Sequence, residues 1–329
     1  MKDSGTVSLN NLKAPVTSEL DAFTTYFKQS MRSSVPLVDT IARYIVKQKG
    51  KRIRPLLVFL CAKACGGVNE STYRGATLVE ILHTATLVHD DVVDDADERR
   101  GLSSINAVWK NKIAVLMGDY LLSTGLMISL RHDDVYFLKA VSDAVRRMSE
   151  GEMLQIQKSR ELNIDEPTYL RIISDKTASL LSTCSEIGAA SATADAGVRA
   201  MMREYGENVG MAFQIRDDVL DYASERSILG KPIGGDVKEK KITLPLLHAL
   251  QNAPRKESRS VLQKIKRGAE GKDLDFIVSF VRAYGGTEYA VQKAEAFSTR
   301  AIDCLKPLQD SPAKESLITF VGYVMERAK

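Results

Sequence analysis

The stretch Leu78-Val79-Glu80-Ile81-Leu82-His83-Thr84-Ala85-Thr86-Leu87-Val88-His89-Asp90-Asp91-Val92-Val93-Asp94 decides how the rest of the chain is read. Leu78, Ile81, Leu82, Ala85 and Val88 recur at spacings of three and four, which is one apolar face of a helix, and that helix runs into aspartates. The same spacing returns at Leu37, Ile41, Tyr44 and Ile45 and at Leu56, Leu57, Leu60 and Cys61, and no strand alternation competes with it. Turn residues punctuate the pattern at Gly50, Gly66-Gly67, Gly101, Asn163 to Pro167, Gly230 to Gly235 and Asn252 to Pro254. Asp165 and Pro167 stand where an N-cap and a first-turn proline start a helix through Tyr169, Leu170, Ile173 and Leu180. The expectation is an all-α chain of about ten helices, one bundle-like domain over residues 13–329, with residues 1–12 set aside as a flexible tail.

Composition agrees with that class. Of 329 residues 44% are apolar and 27% charged, and Pro 9 with 6% aromatics suits helices better than a β-sandwich. The balance of 46 Lys+Arg against 42 Asp+Glu, interleaved along the chain, is too even to argue for nucleic acid. Cys61, Cys65, Cys184 and Cys304 form no CxxC or Cys/His cluster and read as buried thiols in a reducing cytoplasm. The most apolar window, Ile113 to Leu130, carries Asp119 in its middle, so no membrane span is expected and any membrane contact would be peripheral.

The acidic end of the opening stretch has an echo. Asp90-Asp91-Val92-Val93-Asp94 returns as Asp217-Asp218-Val219-Leu220-Asp221, again after an apolar helical run. At an Asp frequency of about 6%, one such D-D-x-x-D is expected by chance only ~0.07 times in a chain of this length. Asp90 with Asp94, and Asp217 with Asp221, share a helix face, whereas Asp91 and Asp218 are rotated by about 100° into a supporting position. A solvated acidic face is the bland alternative. Against it, Thr84 to Val88 and Val209 to Ile215 are mostly apolar or small, so the carboxylates end buried segments, where repulsion is costly without cations. Oxygen ligands in a His-poor chain suit Mg²⁺. An EF-hand fails on spacing, and a di-iron bundle fails because only Glu80 with His83 offers an E-x-x-H pair. Lys51, Arg52 and Arg54, then Arg99 and Arg100, then Lys176, Lys231 and Lys241, each read alone as solvated charge. Together with two acid pairs they ask for a polyanion bridged by Mg²⁺, and a diphosphate meets that demand.

Gly50-Lys51-Arg52-Ile53-Arg54-Pro55, His89 to Asp94 with Arg99-Arg100-Gly101, Gly118-Asp119-Tyr120-Leu121-Leu122, Lys176-Thr177, Phe213 to Asp221, and Gly235-Asp236 with Lys241 to Pro245 resemble, in order, the trans-prenyl diphosphate synthases. The resemblance implies the all-α isoprenoid synthase fold, a helical bundle around a central cavity, usually a homodimer. It implies head-to-tail addition of isopentenyl diphosphate to an allylic diphosphate. By motif position, Asp90 and Asp94 would hold two Mg²⁺ and Asp217 a third, with Asp218 supporting and Asp221 supporting or ligating. Arg99, Lys176, Thr177, Gln214, Lys231 and Lys241 would contact the allylic diphosphate, and Lys51, Arg54, His83 and Arg100 the isopentenyl diphosphate. The proton lost after alkylation would go to the departed diphosphate. The family's loop usually reads Gly-Asp-x-x-Glu-Gly-Lys, and here Lys240 stands where Gly is usual.

A growing isoprenoid tail must run from the diphosphate toward the N-terminal side of the helix that carries Asp90. Ala85 and Thr86, one turn back, are small, which resembles long-chain synthases for quinone side chains more than farnesyl or geranylgeranyl synthases. Met117, Leu121 and Met148 are candidates for the floor, leaving hexa- to decaprenyl products open. A short-chain synthase, a terpene cyclase or head-to-head synthase, and a non-catalytic subunit are the alternatives. The last of these would be expected to show eroded aspartates, and both motifs are complete. Ala85→Phe is expected to shorten the final product; separation of dephosphorylated products by length checks this, and an unchanged length would refute it.

Overall fold

The computed structural model describes residues 9–48, 50–99, 101–222 and 234–326. In chain order the helices are α1 (Leu9–Lys13), a 3₁₀ turn (Ala14–Val16), α2 (Thr17–Ser30), α3 (Pro36–Lys47), α4 (Ile53–Cys65), α5 (Glu70–Val93), α6 (Ile105–Arg131), α7 (Val135–Glu161) and α8 (Glu166–Ile173). A π-helical turn (Ser174–Ala178) leads into α9 (Ser179–Ala192), then α10 (Ala196–Leu220), α11 (Gly235–Lys238), α12 (Leu244–Asn252), α13 (Arg255–Arg267), α14 (Lys272–Ala283), α15 (Gly286–Cys304) and α16 (Pro312–Glu326). The all-α expectation holds. The described residues contain sixteen α-helices where about ten were expected, because several apolar runs break at turns that period alone does not mark.

Three local differences bear on the site. The helix from Asp165 does start as expected, with Asp165 accepting the Thr168 amide at 2.9 Å, but it does not run straight to Leu180. It opens into the π turn, which carries Lys176 and Thr177. After α5 a small antiparallel hairpin pairs Glu98 with Ser103 and Arg99 with Leu102. The expected tail is too long by four residues: Leu9–Lys13 is helical and Leu12 is fully buried in the core.

Two apolar clusters fill the bundle. The larger joins α2, α4, α5, α6, α9 and α16 through residues such as Phe23, Phe59, Ile81, Leu121, Ile187 and Phe320. The second holds α12 to α15 against the last turns of α10 through Ile215, Leu246, Ile277 and Val281. Asn69 fixes the start of α5 in a capping box with Thr72, and Arg74 grips Asp134 with two bonds of 2.6 and 3.1 Å, tying α5 to the start of α7. Cys61 and Cys184 are buried and Cys65 and Cys304 half-buried, all four free; burial pushes the Cys184 thiol up to about 12.

Helix α6 is long and apolar enough to cross a membrane, but 33% of its apolar window is buried in the protein. Lys110 interrupts it with φ of 70°. Its inner side lies along α5, where Gly118 makes room for the His89 ring; a Cβ there would sit 2.2 Å from His89 Nε2. Gly125 touches Leu78 and Ile81 farther down, so the two helices run antiparallel and Leu121 falls between those contacts.

Close approach also sets α4 against α9. A Cβ on Gly188 would lie 2.4 Å from the Val58 carbonyl oxygen and 2.8 Å from Cys61 Cβ. Gly188→Ala is therefore expected to destabilise the protein by about 1–3 kcal/mol through overpacking. Denaturant unfolding measures this, and an unshifted midpoint would show that the two helices can separate at no cost.

Candidate active site

The first aspartate motif ends α5. Asp90 and Asp94 are exposed, and their carboxylates have no hydrogen bond or ion pair among the described residues. Neighbouring protein withdraws water from Asp90 and raises its carboxyl above the usual range; repulsion from Asp94 and Glu152 adds to the rise, and Lys176 and Arg99 reduce it. Asp91 faces the other way, is 3% exposed, and accepts Arg99 Nε at 2.7 Å together with Arg99 Nη2. The supporting position expected for it is the one it occupies.

The second motif ends α10, and its three aspartates divide the work. Asp217 is exposed and unpaired among the described residues. Asp218 is 4% exposed, with one oxygen accepting Tyr169 Oη at 2.6 Å and the other Gln214 Nε2 at 2.8 Å. Burial, then the Asp236 charge, pushes its carboxyl well up. Asp221 accepts the Gly235 amide at 2.9 Å on one oxygen and the Asp236 amide at 3.0 Å on the other. Through these two bonds it anchors the following loop.

That loop brings Asp236 against the motif. Burial, followed by the Asp221 charge, raises the Asp236 carboxyl to about 6. Lys241 feels burial, which lowers it, but its bond to Glu239 and the nearby Asp236 and Glu152 leave it raised, so the ammonium stays charged. Lys240 takes φ of 59°, the left-handed region where glycine is favoured, and this is the position at which the family usually has Gly.

A cavity of about 1170 Å³ opens between α7, α8, the π turn, α10 and this loop. Lys176, Thr177, Gln214, Asp217, Asp236 and Lys241 are among its lining residues. Thr177 Oγ1 donates to Gln214 Oε1 at 2.8 Å, and Gln214 passes the chain on to Asp218. Lys176 Nζ pairs with Glu152 Oε2 at 2.5 Å. Glu152 on α7 also acts on Asp90 and on Lys241, so the Lys176–Glu152 pair sits between the two motifs.

Several expected residues lie elsewhere. Asp90 and Asp94 are not part of the cavity lining and meet it only through Lys176 and Glu152. Arg99, expected with Lys176 and Gln214 at the allylic diphosphate, lines a second cavity of about 40 Å³ with His83, Arg52 and Glu80, its guanidinium turned back to Asp91. His83 is 8% exposed at that small cavity. Lys51 lines neither; it is exposed and donates to Tyr323 Oη at 3.1 Å. Arg54, in the first turn of α4, also lines neither. Ala85, 2% exposed, and half-buried Thr86 lie one turn beneath Asp90 in the packed interior and border neither cavity. Arg100 and Lys231 fall outside the described residues. Sequence reading missed Glu152, Tyr169 and the acidic role of Asp236. Only Asp236 stood in a quoted motif; the other two act through contacts that no spacing reports.

The polyprenyl synthetase family model matches residues 35–281. The all-trans-nonaprenyl diphosphate synthase of Rhodobacter capsulatus, described as geranyl-diphosphate specific, is 35% identical over 96% of this chain and 97% of its own. The octaprenyl diphosphate synthase of Escherichia coli K12 is 35% identical over 91% of this chain and 93% of its own. The chain belongs to the polyprenyl synthetase family. A polyprenyl synthase of Caulobacter crescentus CB15, solved with calcium and isoprenyl diphosphate, superposes on this family member with a TM-score of 0.88 at 31% identity, covering 99% of this chain and all of that one. The family resemblance read from the motifs and the isoprenoid synthase fold that it implied are both borne out.

The left-handed Lys240 is a departure from the family with a measurable consequence. Lys240→Gly is expected to stabilise the protein by about 0.5–1 kcal/mol, since removing Cβ relieves more strain than the added freedom of the unfolded chain costs. Lys240→Ala keeps the strain and serves as the control. Equal unfolding midpoints for the two variants would refute the assignment.

Proposed function

We propose that the chain is a long-chain trans-polyprenyl diphosphate synthase, adding isopentenyl diphosphate head-to-tail to an allylic diphosphate. The observation that carries this is a cavity whose wall presents Asp217 with Lys176, Thr177, Gln214 and Lys241, while the second carboxylate end, Asp90 with Asp94, interacts with the Lys176–Glu152 pair beside it.

The donor set suits Mg²⁺. Among the described residues no three acidic, His or Cys side chains converge into a ready-made cage, which agrees with a cation that keeps waters and completes its shell from substrate phosphates. Raised carboxyls at Asp90 and Asp236 show negative charge crowded at the site, and a divalent ion would offset it. Three Mg²⁺, held by Asp90, Asp94 and Asp217, are the proposed complement. Bound there, they supply positive charge to the diphosphate as it leaves.

The protein's own groups account for the remaining steps. Lys176 and Lys241 face the cavity as fixed cations and stabilise charge that develops on the leaving diphosphate. Thr177 gives its hydrogen to Gln214, which turns a hydroxyl oxygen lone pair toward the cavity beside the allylic carbocation. Lys231 would join this group, and Arg99 would reach it by releasing Asp91. Isopentenyl diphosphate is proposed to occupy the His83 side, with Lys51, Arg54 and Arg100. The proton lost after alkylation would go to the departed diphosphate, as the family resemblance implies.

The long-chain reading rests on Ala85 and Thr86, whose small side chains lie one turn beneath Asp90 on the side toward which a tail would run. A homodimer is supported by the outer face of α6, where Val108, Val115, Leu116, Met127 and Leu130 are exposed. The four beyond the break at Lys110 fall within about 120° of the helix circumference.

The test is to supply purified protein with Mg²⁺, farnesyl or geranylgeranyl diphosphate and labelled isopentenyl diphosphate, then resolve the dephosphorylated products. The expected result is a ladder ending in a long all-trans chain, with Asp90→Asn lowering kcat at least about 100-fold. No incorporation from any allylic primer would exclude the synthase reading and favour a non-catalytic subunit.

A further inference from the structure

Arg147 lies on α7, outside every motif the proposed reaction uses, and it is the centre of a polar network. Its Nε donates to Asp175 Oδ1 at 2.8 Å, its Nη2 to Ser174 Oγ at 2.8 Å and Glu207 Oε1 at 2.9 Å, and its Nη1 to Glu207 Oε2 at 3.3 Å. Ser174 Oγ donates in turn to Glu207 Oε1 at 2.5 Å. The side chains of Arg147 and Asp175 are only 17% and 15% exposed, and that of Glu207 is 27% exposed. A second cation reaches Asp175, but weakly: the mostly exposed Arg171 approaches Oδ2 at 3.6 Å.

What this network holds is the π turn. Ser174 and Asp175 are its first two residues, Lys176 and Thr177 its next two, and Glu207 belongs to the neighbouring helix α10. A π turn has weaker local hydrogen bonding than an α-helix and persists where tertiary contacts impose it. The backbone is pressed from both sides. On α7, a Cβ at Gly151 would lie 3.0 Å from both Asp175 Cβ and the Lys176 amide nitrogen; on α10, a Cβ at Gly210 would lie 2.4 Å from Ala178 Cα. Gly151 is one helical turn beyond Arg147, so one face of α7 supplies both the close approach and the guanidinium that fastens it.

We infer that Arg147 is a positioning residue for the allylic diphosphate: its guanidinium clamps Ser174 and Asp175 to Glu207 and so fixes the direction in which Lys176 and Thr177 meet the substrate. The inference rests on the role of Lys176 and Thr177 proposed above. The planar guanidinium makes four N–H bonds to three residues from three nitrogens in a fixed fork, a geometry that an ammonium, with three donors on one nitrogen, does not reproduce. Loss of the fork leaves Asp175 and Glu207 without their shared counter-charge, and the start of the turn is then free to move away from α10.

Five proteins test this: the parent, Arg147→Met, Arg147→Lys, Lys176→Ala and the Arg147→Met/Lys176→Ala double variant, which closes a cycle. Arg147→Met is expected to raise KM for the allylic diphosphate about tenfold while KM for isopentenyl diphosphate stays within about twofold. Arg147→Lys should recover less than half of that loss. Because Arg147 acts through Lys176 and Thr177, the double variant should lose less affinity for the allylic substrate than the sum of the two single losses. Amide hydrogen exchange at residues 174–178 should accelerate in Arg147→Met while residues in the middle of α5 keep their protection. Equal rises in both KM values, additive losses in the cycle, or unchanged exchange at 174–178 would each overturn the inference. If Arg147→Met does not fold, the ratio of the two KM values in Arg147→Lys decides. If the parent elongates no primer, the synthase reading falls, and exchange at 174–178 still decides whether the clamp exists.

Discussion

Negative charge gathered at the ends of two buried helices is the constraint around which this molecule is arranged. Helices α5 and α10 each finish in three aspartates, and neither helix could end that way beside the other without a means of dividing the charge. The division is the same in both motifs. The middle aspartate is buried and neutralised or bonded by its neighbours: Asp91 by Arg99, Asp218 by Tyr169 and Gln214. Asp90, Asp94 and Asp217 are left exposed, whereas both oxygens of Asp221 accept backbone amides of the loop it anchors. Burial first, and then repulsion between the acids, raises Asp90, Asp221 and Asp236, and the ion pair of Lys176 with Glu152 offsets only part of that repulsion. The remainder is electrostatic work left for cations and a substrate carrying its own phosphates.

Placing Lys176 at that point requires an irregular backbone. A continuous helix from Asp165 to Ala192 would have turned the residues after Ser174 by the regular 100° each. The π turn shifts the register, brings Thr177 onto Gln214, and lets Lys176 reach Glu152. Glycines at 151 and 210 allow the neighbouring helices to come close enough to impose it. Rigidity at the site therefore derives from packing on both sides of a locally weak element. The loop after Asp221 shows the complementary case, where a non-glycine residue, Lys240, accepts a left-handed conformation that the tethered ends of the loop require.

Much of the fold was legible because a helix buries a periodic stripe. The stripe through Leu78, Ile81, Leu82, Ala85 and Val88 is the face of α5 that enters the core, and the Asp165 cap and Pro167 start α8 where the residues say they should. The tail boundary was missed because Leu9, Leu12 and Val16, although spaced by three and four, make too short a run among polar residues to mark a helix, yet Leu12 and Val16 are fully buried. The same limit hid the break at Lys110 and the π turn, which neither composition nor spacing requires.

For the site, the chain alone determined which residue types meet and in what order along each helix: two D-D-x-x-D ends, the Lys176-Thr177 pair, and the loop from Gly235 to Lys241. Those follow from one-dimensional spacing, because residues four apart on a helix must share a face. Only the tertiary structure decided that Asp221 bonds the loop, that Arg99 turns toward the small cavity with His83, and that Glu152, Tyr169 and Arg147 contact Lys176, Asp218 and Asp175. Each of these depends on contacts between helices far apart in sequence, and the partner of a buried charge is chosen by whichever group packing brings within reach.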